Sequence, residues 1–272
     1  MELRVLRYFL AVAREGNITG AANSLHLSQP TLSRQIRDLE EELGHPLLIR
    51  KSHRVALTPE GVLFRKRAEE IIAMVDKTEA EFTSMQNTGG DIYIGSGETQ
   101  AIRRITRIAK ALRDEYPGVH YHLYSGNAQD VTERLDKGLL DFGILIQPAD
   151  LSKYDYLNLP DKDTWGVVMR KDSPLAEKAY VERKDLLGVP LICSRQAILP
   201  QREGNEFAGW FGEDFEKLDI VTTFNLIYNA SLMVESGIGY AITLDRLVST
   251  AEGSALCFRP LKPKLESGLN IV

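Results

Sequence analysis

Residues 21–37 read AANSLHLSQPTLSRQIR. Ala21, Ala22 and Leu25 share one face at helical spacing, which predicts a short helix over Thr19–Leu25. Leu27 and Ser28 break that pattern, and Gln29-Pro30 opens a second helix. Ser28 supplies an N-cap oxygen, and proline suits a first turn because its missing N–H has no helical partner there. Leu32, Ile36, Leu39 and Leu43 make the buried stripe of this helix. Gln29, Thr31, Ser33, Arg34 and Arg37 are left facing outward. Two short helices joined by a tight turn, the second carrying Gln, Ser, Thr and Arg, form either a helix-turn-helix or an ordinary helical hairpin with a solvated face. In the first case the second helix enters the major groove, where Gln and Arg pair with base edges.

The flanking sequence favours DNA. Leu3, Leu6, Leu10 and Ala13 put a first helix over Glu2–Arg14, ended by Gly16. Gly44-His45-Pro46 stops the third helix. Leu47-Leu48-Ile49 and Arg54-Val55-Ala56-Leu57 then read as two short strands. Between them Arg50, Lys51 and Arg54 give three cations in a five-residue tip, a wing suited to phosphates or the minor groove. The charge is also divided: residues 1–67 carry 11 Lys/Arg against 7 Asp/Glu, while the whole chain, with 33 against 38, is net −5. A basic head on an acidic body is the balance of a DNA-binding protein with a second, different task.

Ala21-Ala22, Leu25, Ser28-Gln29-Pro30-Thr31-Leu32-Ser33, Ile36, Leu39-Glu40, Leu43-Gly44, Leu47, Arg50 and Leu57-Thr58-Pro59-Glu60-Gly61 together resemble the DNA-binding pattern of LysR-type transcriptional regulators. In this reading Gln29, Ser33 and Arg34 read bases, while Thr31, Arg50, Lys51 and Arg54 hold the backbone or minor groove. Ser28, Pro30 and Arg37 complete the DNA-facing surface.

Thr58-Pro59-Glu60 starts another helix: a hydroxyl N-cap, proline at the first position and an acid in the first turn. Its seam runs Phe64, Ala68, Ile71, Val75, then Phe82 and Met85, alternating four and three with Thr78 filling the one gap. A heptad seam on a helix of about 29 residues, roughly 43 Å long, calls for a partner helix. Phe64, Ala68, Ile71, Val75 and Phe82 are therefore expected at a homodimer interface, since a helix-turn-helix reads two half-sites when paired. Asn87-Thr88-Gly89-Gly90 closes the helix and marks the boundary.

Beyond Gly90 strands and helices alternate, as in a mostly parallel sheet flanked by helices. The segments include Ile92–Ile94, Val119–Tyr124, Leu139–Ile146, Trp165–Arg170, Pro190–Cys193, Ile220–Phe224 and Ile238–Leu244. The resemblance implies two α/β lobes joined by two crossovers, similar to periplasmic binding proteins. The expected organisation is a winged helix-turn-helix over 1–58, a linker and dimerisation helix over 59–88 and an effector-binding domain over 89–272. The second lobe is expected over about 148–219, with Ile220–Phe224 and the helix Leu226–Glu235 returning to the first.

Ile94-Gly95-Ser96-Gly97-Glu98-Thr99 follows the first strand and opens a helix, a position that suits a bound anion or a plain capped turn. Gln100 stands where a dinucleotide fingerprint needs its third glycine. The resemblance implies effector contacts from Ser96, Gly97, Glu98 and Thr99, and likewise from Asn127, Gln147, Ser194 and Arg195. Arg195 either clamps a carboxylate or is a surface charge, and Glu98 is a poor neighbour for an anionic effector. The implied partners are double-stranded DNA, a small-molecule effector, a second copy of the chain as homodimer or homotetramer, and RNA polymerase.

Other chemistry is weakly represented. Cys193 and Cys257 lie in apolar surroundings and read as buried thiols; as a redox pair they lack flanking basic clusters. His120 and His122 share a strand face without a third ligand at metal spacing, so no metal is expected. No nucleophile–base pair, G-x-S-x-G elbow or P-loop supports an enzyme with a DNA tether, and no cofactor beyond the effector is expected. No run approaches the roughly twenty apolar residues of a membrane span, and the expectation is a soluble cytoplasmic protein. The sequence stops at Asn270-Ile271-Val272, mid-strand in this reading, which fits a chain cut short.

Overall fold

The computed structural model describes residues 1–51, 54–84, 89–198 and 205–272, without the side chains of Lys51, Thr83 and Ser84. The chain forms two compact units, Met1–Gln86 and Asn87–Val272.

In the N-terminal unit, α1 (Leu3–Glu15), α2 (Ile18–Ser24) and α3 (Gln29–Leu43) precede a hairpin of β1 (Leu48–Lys51) and β2 (Arg54–Leu57), and α4 (Pro59–Ser84) follows. The expected stripe is the one that buries: Leu32, Ile36 and Leu39 of α3 pack with Phe9 and Val12 of α1 and with Ala21 and Ala22 of α2. Small residues on α2 let three helices crowd around one aromatic ring. Asn17 caps α2 by accepting the Gly20 N–H (2.5 Å), and Gly44 ends α3 at φ +71°, a left-handed turn that glycine makes without strain. In the hairpin Leu48 opposes Leu57 and Lys51 opposes Arg54; Ser52 and His53 at its tip lie outside the described residues. Thr58 starts α4 as predicted, its hydroxyl accepting the Gly61 N–H (2.9 Å) and donating to the Pro46 carbonyl (2.8 Å). Gly61 is required there, because a Cβ would stand 2.1 Å from the Leu47 carbonyl oxygen.

The described α4 has 26 residues, about 39 Å, and Met85 and Asn87-Thr88 lie outside the described residues. Gly89 and Gly90, expected in the boundary, instead begin a strand.

The C-terminal unit opens with β3 (Gly89–Ser96), α5 (Ile102–Glu115), β4 (Gly118–Ser125), α6 (Ala128–Asp136) and β5 (Phe142–Ile146). β3 pairs in parallel with β4 and β5. One face packs Ile94, Ala101 and Ile144, the other Ala128, Val131 and Leu145. Helices cover both faces, which is what near-continuous apolar strands require.

β6 (Leu157–Arg170) then runs into the second lobe, followed by β7 (Val181–Glu182), β8 (Pro190–Ser194), α7 (Glu206–Phe211), β9 (Asp219–Phe224), α8 (Ile227–Glu235), β10 (Tyr240–Leu244), β11 (Leu256–Lys262) and β12 (Glu266–Ile271). Along β6, Trp165, Val167 and Met169 enter one core with Phe207, Trp210 and Phe211, while Val168 enters the other with Ile227, Ala230 and Val234. That is the two-residue period of a strand buried on both sides.

Two expectations need correction. β9 pairs in parallel with β8, and β10 with β8, so 219–244 stays in the second lobe. The chain returns only after β11, when β12 pairs with β5 and the first half of β6. The boundary near 219 failed because strand alternation marks elements but not which sheet each joins. The sheet is also mixed: β12 and β6 run antiparallel to their neighbours, as crossover strands must to carry the chain out and back.

Candidate functional site

The first turn of α3 is exposed at Gln29, Pro30 and Thr31, with Arg34 and Arg37 exposed further along and Ser33 half-buried. Ser28 caps the helix by accepting the Thr31 N–H (3.3 Å), and its hydroxyl lies 2.7 Å from that of Thr31. The polar face therefore stands on a rigid base whose opposite side is fully buried. A residue that spacing did not single out joins this helix to the wing. Glu40 accepts the N–H groups of Leu47 (2.8 Å) and Leu48 (3.0 Å) on one oxygen and holds Arg50 at 3.0 Å on the other. Arg50, expected at the phosphates, is paired with Glu40 here while its side chain stays 36% exposed. Arg54 is exposed, and the side chain of Lys51 lies outside the described residues.

On α4 the expected interface divides. Phe64 and Ala68 pack with Leu6 and Leu10 of α1, and the Phe64 ring meets Phe9 edge-on at 5.0 Å. These two serve the core of their own unit, a correction with a plain cause: the first turns of α4 lie against α1. Ile71 and Phe82 are exposed, as are Val62 and Leu63, and Val75 is half-buried.

In the C-terminal unit a cleft opens between the lobes. Gly97, Glu98, Asn127, Gln147 and Ser194 line it as expected. Ser96, Thr99 and Arg195 do not. Ser96 is buried and donates to the Gly97 carbonyl (2.7 Å), and Thr99 is buried with its hydroxyl accepting the Ala101 N–H (3.0 Å). Both bond within their own loop, and both line a neighbouring pocket together with Gly97 and Glu98. Arg195, next after Ser194, is exposed; its backbone N–H is bonded to the Phe224 carbonyl (2.8 Å).

Hydrogen bonds cross the cleft, two of them at helix starts. Glu98 of the first lobe accepts the N–H of Ile227, the first residue of α8 (2.6 Å). Gln196 of the second lobe accepts the N–H of Ala128, the first residue of α6 (3.0 Å). Helix N-termini attract negative charge, and here the chain fills both with its own oxygens. Gln196 was missed because nothing in its local sequence distinguishes it. The aromatic wall of Trp165, Phe207 and Phe224 was missed too, since each reads as ordinary core. Glu98 and Glu206 are the charged side chains among the described lining residues.

The remaining candidates hold little chemistry. Cys193 is fully buried and its thiol is pushed up to about 12 by burial; burial also raises Cys257. A reactive thiolate is disfavoured at both. His122 bonds Asp91 (2.9 Å) and stacks on Tyr93. Among the described residues no cluster of three or more His, Cys, Asp or Glu could hold a metal.

Known proteins agree with this geometry. The model of the bacterial regulatory helix-turn-helix protein, lysR family, matches residues 3–62, and that of the LysR substrate binding domain matches residues 86–272. The chain belongs to the LysR family. It is a DNA-binding transcriptional regulator with an effector-binding domain, and not an enzyme. The Hca operon transcriptional activator HcaR of Escherichia coli (strain K12) is 30% identical over 267 residues, 98% of this chain and 89% of that protein. The hydrogen peroxide-inducible genes activator of Pectobacterium carotovorum subsp. carotovorum is 30% identical over 278 residues, covering 100% of this chain and 90% of that protein. The crystal structure of CbnR, a LysR family transcriptional regulator, shares the fold at a TM-score of 0.74 with 20% identity, covering 100% of this chain and 92% of that one. With both thiols buried, a cysteine-based redox sensor is not favoured over an effector-sensing regulator.

Proposed function

We propose that this regulator reads an inverted-repeat operator with α3 and changes its grip when a small molecule enters the cleft. Gln29, Ser33 and Arg34 contact base edges, and Thr31, Arg37, Lys51 and Arg54 hold the backbone or the adjacent minor groove. Ser28 and Pro30 set the start of the helix, and Arg50 braces the wing through Glu40. The observation that carries this reading is the exposed polar first turn of α3, capped by Ser28 above a fully buried Leu32 and Ile36.

Two copies pair through the exposed positions of α4, Ile71 and Phe82 with Val75 beside them, as a homodimer that can assemble further into a tetramer in the cytoplasm and contact RNA polymerase. No described helix is long and apolar enough to cross a membrane. The effector sits among Gly97, Glu98, Asn127, Gln147 and Ser194 and acts by preferring one arrangement of the lobes, since a ligand with equal affinity for both shifts nothing.

Gln29→Ala should narrow the gap between operator and random DNA by about 1–3 kcal/mol, whereas Lys51→Ala should weaken both alike and flatten the salt dependence. Binding isotherms on the two DNAs at several salt concentrations decide it. Equal losses on both DNAs for both variants would overturn the division of roles.

A further inference from the structure

We propose that Thr243, at the end of β10, selects the effector: a small apolar or aromatic molecule whose head group donates a hydrogen bond, a hydroxyl or an amine rather than a carboxylate. This rests on the cleft being the effector site. Thr243 lines that cleft and is 3% exposed. Its hydroxyl has no hydrogen-bond partner among the described residues. A hydroxyl sealed away in that state is costly. The sealed, unbonded side-chain oxygen among the described residues belongs to Asp163, so the Thr243 hydroxyl opens onto the cleft. Other polar residues of the lining are used by the fold: Asn127 caps α6 (3.0 Å), Asn205 caps α7 (3.1 Å) and Ser267 accepts from Trp165 (2.8 Å). Thr243 is left for a ligand.

Its surroundings say what kind. On one flank Thr243 faces Gly166 of β6, which has no side chain to offer. On the other, Cys193 of β8 pairs with Ile242, so Ser194 and Thr243 stand side by side one residue further on. Ile192 and Ala241 pack with Ile227 of α8. Two positions along their strands, Ser194 and Thr243 face the same way, toward the start of α8 where Glu98 accepts the Ile227 N–H (2.6 Å). Glu98 lines the cleft and has no ion-pair partner among the described residues. An effector carboxylate in that corner would meet like charge, whereas a hydroxyl or an ammonium donates to Glu98. The Thr243 hydroxyl donates or accepts as the head group requires. Phe224 and Leu247 border the same core and line the cleft as well, an apolar seat for a ring or chain.

Calorimetric titration of the full chain at pH 7 with benzyl alcohol, benzylamine and benzoate tests this, since one ring then carries a neutral, a cationic or an anionic head group. The alcohol or the amine should bind at least about tenfold more tightly than benzoate. Tighter binding of the amine assigns a cationic effector, and of the alcohol a neutral one. Thr243→Val keeps the shape without the hydroxyl and should bind the preferred compound about three- to tenfold more weakly. The melting temperature of the free variant should stay level or rise by a few degrees, because no internal hydrogen bond is lost; a structural hydroxyl would lower it. Thr243→Ser restores the hydroxyl and should recover the affinity to within about twofold. Tighter binding of benzoate, or no binding of any compound at about 10 mM, would overturn the proposal and leave the cleft as the effector site. Binding that neither Thr243→Val nor Phe224→Ala changes would overturn both.

Discussion

The first turn of α3 stands open, whereas the first turns of α6 and α8 are stoppered by side chains from the opposite lobe. In the head, cap and reading face belong to one short stretch: Ser28 caps, and Gln29 to Arg37 display. In the cleft the same helix-end chemistry is satisfied at long range. Gln196 reaches Ala128 across 68 positions, and Glu98 reaches Ile227 across 129. A surface that reads a partner outside the fold can be written locally. A cleft that senses a small molecule has to be assembled from both lobes, because closing on a ligand is what reports its presence.

Substitutions can break or sharpen that contrast. Leu32→Ala empties a fully buried site beneath the reading face and should cost the head about 3–4 kcal/mol. Denaturant unfolding should show an early transition for residues 1–86 while the C-terminal unit keeps its own midpoint; a single unshifted transition would contradict the independence of the two units. Glu40→Ala removes the acceptor of two wing N–H groups and the partner of Arg50, for a loss of about 2–3 kcal/mol. Faster amide exchange at Leu47 and Leu48 is the expected readout, with α1 unaffected.

Smaller effects belong to the cleft. Glu98→Gln keeps the shape but removes the charge from the α8 terminus, weakening one cross-lobe bond by about 1 kcal/mol. The Ile227 amide should then exchange several-fold faster; unchanged exchange would mean that Glu98 does not hold the lobes together. The smallest expected effect is none at all. With its thiol held at about 12, Cys193 stays protonated between pH 6 and 9, so a thiol reagent at pH 8 should modify it only after unfolding. Rapid labelling of the native chain at Cys193 would revive a redox role.

The helix-turn-helix was legible because each of its parts depends on neighbours: a cap, a proline, a stripe at helical period, a glycine stop. The α4 seam was legible as a pattern but not as an interface. Phe64 and Ala68 repeat as a heptad would, yet α1 lies against them and takes that face. At the cleft, Gly97, Glu98, Asn127, Gln147 and Ser194 were implied by the family resemblance, and they sit where loops of α/β sheets open. Ser96 and Thr99 sit in the same loop but turn inward, a difference of backbone direction that residue type does not encode.

By itself the amino-acid sequence determined the reading head, the family and the alternation of strands and helices, because these rest on interactions within a few residues. Tertiary structure alone decided that 219–244 belongs to the second lobe and that Gln196 and Glu98 span the cleft. Those facts depend on which distant segments meet, and hydrophobic burial drives segments together without recording the partner in local spacing.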